Sequence, residues 1–79
     1  MLTLNRKIVL DTLIRHETLT LDDIAKEENL GIKPNEDHLQ YLLEELEQES
    51  YIQQLEGTVL RTYTITDKGI KEGKRLNVI

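Results

Sequence analysis

The sequence predicts an α+β domain in which three helices precede a β-hairpin and a last helix follows it. Three observations carry this prediction. Apolar residues recur at three- and four-residue spacing in the stretches 5–16, 21–30 and 36–49. The pattern then changes to β-branched, aromatic and Leu residues on either side of Glu56-Gly57-Thr58. Beyond Thr66, a residue suited to cap a helix, the chain returns to a helical pattern. At 79 residues the chain lies below the usual domain size of ~100 to 150, so one domain spanning 1–79 with one modest core is expected.

Each element has its own signal. From Asn5 to His16, Ile8, Val9, Leu10, Leu13 and Ile14 crowd one helical face and leave Arg6, Lys7, Asp11 and Arg15 to face outward. His16 closes this helix, where a cationic side chain suits the negative helix end. Thr20-Leu-Asp-Asp23 has the spacing of a capping box, Ile24, Ala25 and Leu30 supply a buried side, and Gly31 can take a left-handed exit. The second helix is therefore expected over about Leu21 to Asn29. After Pro34 and Asn35, Leu39, Leu42, Leu43 and Leu46 mark the third helix, running to about Glu49.

The hairpin strands are expected at Tyr51–Leu55 and Val59–Ile65, with Gly57 free to adopt positive φ in the turn. Alternation puts Val59, Tyr63 and Ile65 toward the core and Thr62 and Thr64 toward water. Thr66 then caps a last helix, Asp67 to Leu76, whose Gly69 and Gly73 lower its intrinsic propensity.

Composition narrows the function classes. The absence of Cys removes disulfides, thiolate zinc sites and cysteine nucleophiles together. No Gly-rich phosphate loop is present, and the two histidines lie over twenty positions apart, so no nucleophile, base and orienting group assemble; neither catalysis nor a cofactor is expected. His38, Glu45 and Glu49 share a line of the third helix, but one imidazole and two loosely placed carboxylates make a poor zinc site. No apolar stretch approaches the ~20 residues that span a bilayer, and Met1 to Leu4 is too short for a signal sequence, so a cytoplasmic location and no membrane partner are expected. The net charge of −5 is unevenly spread: residues 35–55 carry −6 with no Lys or Arg, residues 1–34 carry −1, and residues 56–79 carry +2.

Three helices, a short hairpin and a terminal helix in this order resemble the winged helix-turn-helix domain, and the likeness extends to residues. Thr20-Leu-Asp-Asp-Ile-Ala25 with Leu30-Gly31 resembles the first helix and turn of the helix-turn-helix, and Leu39, Leu43, Leu46 and Ile52 fall where that family buries apolar residues of its recognition helix and first wing strand. Tyr63-Thr-Ile-Thr66 with Gly69 is similar to the Tyr-x-Leu-Thr-x-x-Gly pattern of regulators related to the multiple-antibiotic-resistance and phenolic-acid repressors. The resemblance covers about residues 6 to 76. It implies a small DNA-associated or transcription-regulatory protein, here without an effector domain, whose third helix enters the major groove of double-stranded DNA while the wing touches backbone or minor groove.

The residues available for such contact are Arg6, Lys7, Lys33, Gln40, Tyr41, Arg61 and the last-helix stripe of Lys68, Lys71 and Arg75, which share a ~60° arc opposite Ile70. The third helix argues for a different partner. With Leu39 at 0° and ~100° per residue, Asp37, Tyr41, Glu44 and Gln48 lie within ~40° of the direction opposite the apolar face. Carboxylates there are repelled by phosphate, whereas DNA affinity comes from Lys and Arg neutralising it. The alternative is therefore a protein-protein interaction module that keeps the fold and uses Asp37, Tyr41, Glu44, Glu45 and Gln48 to bind a basic protein surface. A homodimer through the last helix is also expected, with Leu76, Val78 and Ile79 supplying apolar area and Lys68, Lys71 and Arg75 supplying register.

Overall fold

The computed structural model describes residues 3–77. The elements are α1 (Arg6–His16), β1 (Thr18–Thr20), α2 (Leu21–Ile24), α3 (Glu27–Leu30), α4 (Glu36–Gln48), β2 (Ile52–Gln54), β3 (Thr62–Ile65) and α5 (Asp67–Leu76). Four of the helices start where a side chain accepts from an otherwise unpaired amide: Asn5 from Ile8, Thr20 from Asp23, Asn35 from His38 and Thr66 from Gly69. The strands form an antiparallel sheet of order β1-β3-β2. Five helices around a three-stranded antiparallel sheet make an α+β domain, an arrangement consistent with the winged-helix fold that the sequence resembles.

Leu10 and Leu13 of α1, Ile24 of α2, Leu39, Leu43 and Leu46 of α4 and Ile52 of β2 are the largest aliphatic side chains shut away from solvent, and Tyr63 closes the core from β3. The face of α4 that the periodicity assigns to the core is thus the buried one. α5 joins differently, through backbone: its buried residues are Gly69 and Gly73. A Cβ on Gly69 would collide with the Tyr51 carbonyl, and one on Gly73 with the tip of Ile14, so the two glycines that weaken this helix in isolation let it lie against α1 and the start of β2.

Four expectations change. The second helix is broken into α2 and α3, because the Asn29 side-chain amide donates to the Asp23 carbonyl at 2.7 Å, the acceptor that the Glu27 amide would use in a continuous helix. Lys26 at the break is extended, with its ammonium on Asp23 at 3.0 Å. The strand β1 was not expected: it pairs Thr18 with Thr64, Leu19 with Tyr63 and Thr20 with Thr62. The hairpin ladder is shorter than expected, and residues 55–61 form an irregular wing loop closed by the Thr58 hydroxyl on the carbonyl of Leu60 at 2.7 Å. Val59, expected in the core, is fully exposed as a result, while Thr62, expected in water, is buried and bonds its hydroxyl to the Leu60 carbonyl at 2.9 Å.

Arg15 does not simply face outward. Its guanidinium donates at 2.6 Å to the Asn29 carbonyl, which also receives the hydroxyl of the wholly buried Thr12 at 3.3 Å. α1 thereby holds the end of α3, and with it the turn into α4.

Candidate functional site

Pro34 and Asn35 end the turn after α3 and start α4, so the apolar stripe Leu39, Leu42, Leu43 and Leu46 that docks on α1 fixes which side chains point away. Those are Asp37, Gln40, Tyr41, Glu44 and Gln48, all exposed. Tyr41 lies along the helix with its hydroxyl 3.2 Å from a Glu45 carboxylate oxygen and remains 57% exposed. Asp37, Tyr41, Glu44 and Gln48, considered above for a protein partner, thus share one exposed surface, with Glu45 half-buried at its edge.

The wing borders this surface at the C-terminal end of α4. Glu47, Gln54, Leu55, Glu56, Val59 and Arg61 are among the residues lining a cleft of about 680 Å³ between helix and wing. Arg61, the single cation of the wing loop, stands over the Tyr63 ring with its guanidinium carbon 5.8 Å from the centroid. Burial pushes the Tyr63 hydroxyl pKa up; Arg61 opposes the shift, while Glu47 and Glu44 add to it. Of these two carboxylates of α4, Glu47 lines the cleft together with Arg61.

The other cations do not gather here. Arg6 and Lys68 converge on Tyr51, their charged ends 5.7 and 5.3 Å from the ring centroid, at the end of the hairpin away from the wing loop. Lys7 pairs with Asp11 at 2.8 Å. Arg75 forms a two-pronged bridge to Glu72 with both distances 2.7 Å, and this pairing holds the Glu72 carboxyl below its ordinary range against partial burial. Lys71 is exposed on α5, and Lys33 is exposed between α3 and α4. Arg6, Lys7 and Arg75 do meet in a second depression of about 360 Å³, but they share it with Glu45, Glu72 and His38, whose ring nitrogen lies 3.0 Å from the Leu4 carbonyl. The nine residues considered for DNA are thus split between the α1–α5 side, the turn before α4, α4 itself and the wing base. They form no continuous basic surface across α4 and the wing.

Sequence reasoning did not identify Glu47, Leu55, Val59 and Leu60 as surface-forming. The one available signal was the pair Val59-Leu60, since two adjacent apolar residues cannot both face the core from one regular strand.

No family model matches the chain, and no curated protein matches it. Among solved structures it is similar to the YusO protein from Bacillus subtilis, known from a crystal structure, with 20% sequence identity and a TM-score of 0.72. The match covers 90% of this chain and 50% of that one, so the chain spans about half the length of its structural relative, and what the two share is the fold.

Proposed function

We propose that the chain is a transcription-regulatory winged-helix protein whose α4 and wing meet a basic protein surface rather than the DNA duplex. The observation that carries this reading is the outer face of α4: Asp37, Glu44 and Gln48 are exposed there, and no Lys or Arg occurs between residues 35 and 55. A carboxylate on a groove-facing helix meets the most negative region of the duplex, and the one cation of the wing loop, Arg61, is engaged with Tyr63. The same face complements a partner rich in Lys and Arg, with Tyr41 as its aromatic anchor.

Direct association with DNA is the second reading, favoured by the resemblance to regulators. It would draw on Lys33, Gln40 and Arg61 near α4 and on Arg6, Lys68 and Lys71 elsewhere. Fluorescence anisotropy with a random duplex at low salt separates the two, because even non-specific phosphate binding registers there. The expected result is negligible binding by the natural chain and measurable, salt-sensitive binding after Glu44→Lys. Tight binding by the natural chain, weakened across sequences by Lys68→Ala with Lys71→Ala, would establish the second reading instead.

A further inference from the structure

The wing carries an apolar surface that the fold leaves uncovered. Val59 is 103% exposed, Leu60 57% and Leu55 37%; with Tyr41 they are the exposed large hydrophobic residues among those described. In a chain with 32% charged residues, three aliphatic side chains presented together on one loop are the apolar centre of a contact surface. The ground around them is acidic on balance, three carboxylates against the one guanidinium of Arg61. Toward α4 lies the 680 Å³ cleft with Glu47 and Glu56; toward α2 lies a smaller depression of about 170 Å³, where Val59, Leu60 and Arg61 meet Leu21 and Asp22. Val59 and Arg61 line both, so the wing loop is a ridge with a hollow on each flank.

We infer that this ridge takes a basic amphipathic segment of a partner protein, its apolar side chains on Val59, Leu60 and Leu55 and its Lys or Arg side chains at Glu47, Glu56 and Asp22. The inference rests on the proposed function and names the part of the partner that it requires. Charge complementarity selects the occupant: an acidic rim around aliphatic side chains attracts cations and rewards an apolar face next to them. A nucleic acid would offer neither. A second copy of this chain is a poor fit at the ridge, because its densest group of cations, on α5, has none of the exposed large hydrophobics beside it, and Lys68 and Arg75 there are already engaged by Tyr51 and Glu72.

The test is NMR titration of the 15N-labelled chain with a helical Lys/Leu peptide, with a Lys/Ser peptide of equal charge, with a Glu/Leu peptide, and with a DNA duplex. The Lys/Leu peptide should shift the amides of Glu47, Val59 and Leu60 saturably, and the Lys/Ser peptide should bind about tenfold more weakly or less. Val59→Ser with Leu60→Ser should weaken the Lys/Leu peptide by a similar factor while the thermal melt changes little, since Val59 is fully exposed and Leu60 more than half exposed. Shifts confined to Asp37, Tyr41 and Glu44 and indifferent to the double substitution would overturn the ridge while leaving the proposed function standing. Wing shifts with the duplex would overturn both. Absence of saturable binding by the Lys/Leu peptide, equal binding by the Glu/Leu peptide, or wing shifts that follow protein concentration alone would each overturn the inference.

Discussion

Glu17 links α1 to β1 at φ 67° and ψ −55°, a positive-φ region that a residue with a Cβ enters only under strain. The surroundings impose it: its amide bonds to the Leu13 carbonyl at the end of α1, and its own carbonyl accepts from the Ile65 amide at 2.9 Å and the Thr64 hydroxyl at 3.2 Å. Its side chain is exposed, so Glu17→Gly should remove the strain without removing packing and stabilise the fold by about 0.5–1 kcal/mol, a rise in Tm of roughly 2–8 °C. A fall in Tm would show that the backbone at Glu17 is not strained. Glu72 gives a pH prediction at the same scale. Its folded-state pKa is lowered from 4.5, chiefly by its hydrogen bonds with Arg75, so the stability it contributes is present above about pH 4.5 and is lost as the pH falls through the folded value. Glu72→Gln should flatten that acid limb in a series of urea melts, and an unchanged limb would assign the loss to other carboxylates.

Among the elements, α5 shows how far helix propensity can mislead. Gly69 and Gly73 each cost this helix roughly 1 kcal/mol relative to Ala, yet they sit where it touches its neighbours. Gly69→Ala drives a Cβ into the Tyr51 carbonyl, a rigid backbone atom that also accepts from the Thr66 amide and hydroxyl, whereas Gly73→Ala meets only the flexible end of Ile14. The expected result is a loss of about 1–3 kcal/mol for Gly69→Ala and a change near zero or favourable for Gly73→Ala, read from chemical denaturation. Equal effects would mean that α5 does not pack as described. The same element shows what was legible: Thr66 as cap and the bounds Asp67–Leu76 follow from the sequence, because capping and periodicity are local. The break between α2 and α3 and the strand β1 were not legible, because each depends on a partner distant along the chain or on a side chain competing for one carbonyl. The acidic face of α4 could be read from helical spacing alone. The apolar ridge of the wing could not, because it depends on where the ladder ends.

For the whole molecule, charge is segregated: α4 carries no cation, and α5 carries Lys68, Lys71, Lys74 and Arg75. Within one protomer α5 packs on α1, with Asn77 reaching Asp11 at 3.3 Å, and presents Lys71 and Lys74 to solvent. Two like-charged α5 helices would repel if set against each other, so a two-fold dimer favours placing α5 of one protomer near the acidic α4 of its partner, a contact that then occurs twice and closes. Of the apolar residues expected to add affinity, Leu76 is half-buried at the rim of the depression shared with Glu45 and Arg75, while Val78 and Ile79 lie outside the described residues. We propose a homodimer of this kind, in which α5 of the second copy and a basic partner compete for α4, and sedimentation equilibrium at tens of micromolar protein tests it. The full chain should sediment as a dimer that weakens with added salt, and removal of residues 78–79 should shift it toward monomer. A monomer at low salt would defeat the dimer. A dimer indifferent to both salt and truncation would place the interface away from α5, on a surface where neither the charge blocks nor the apolar end contributes.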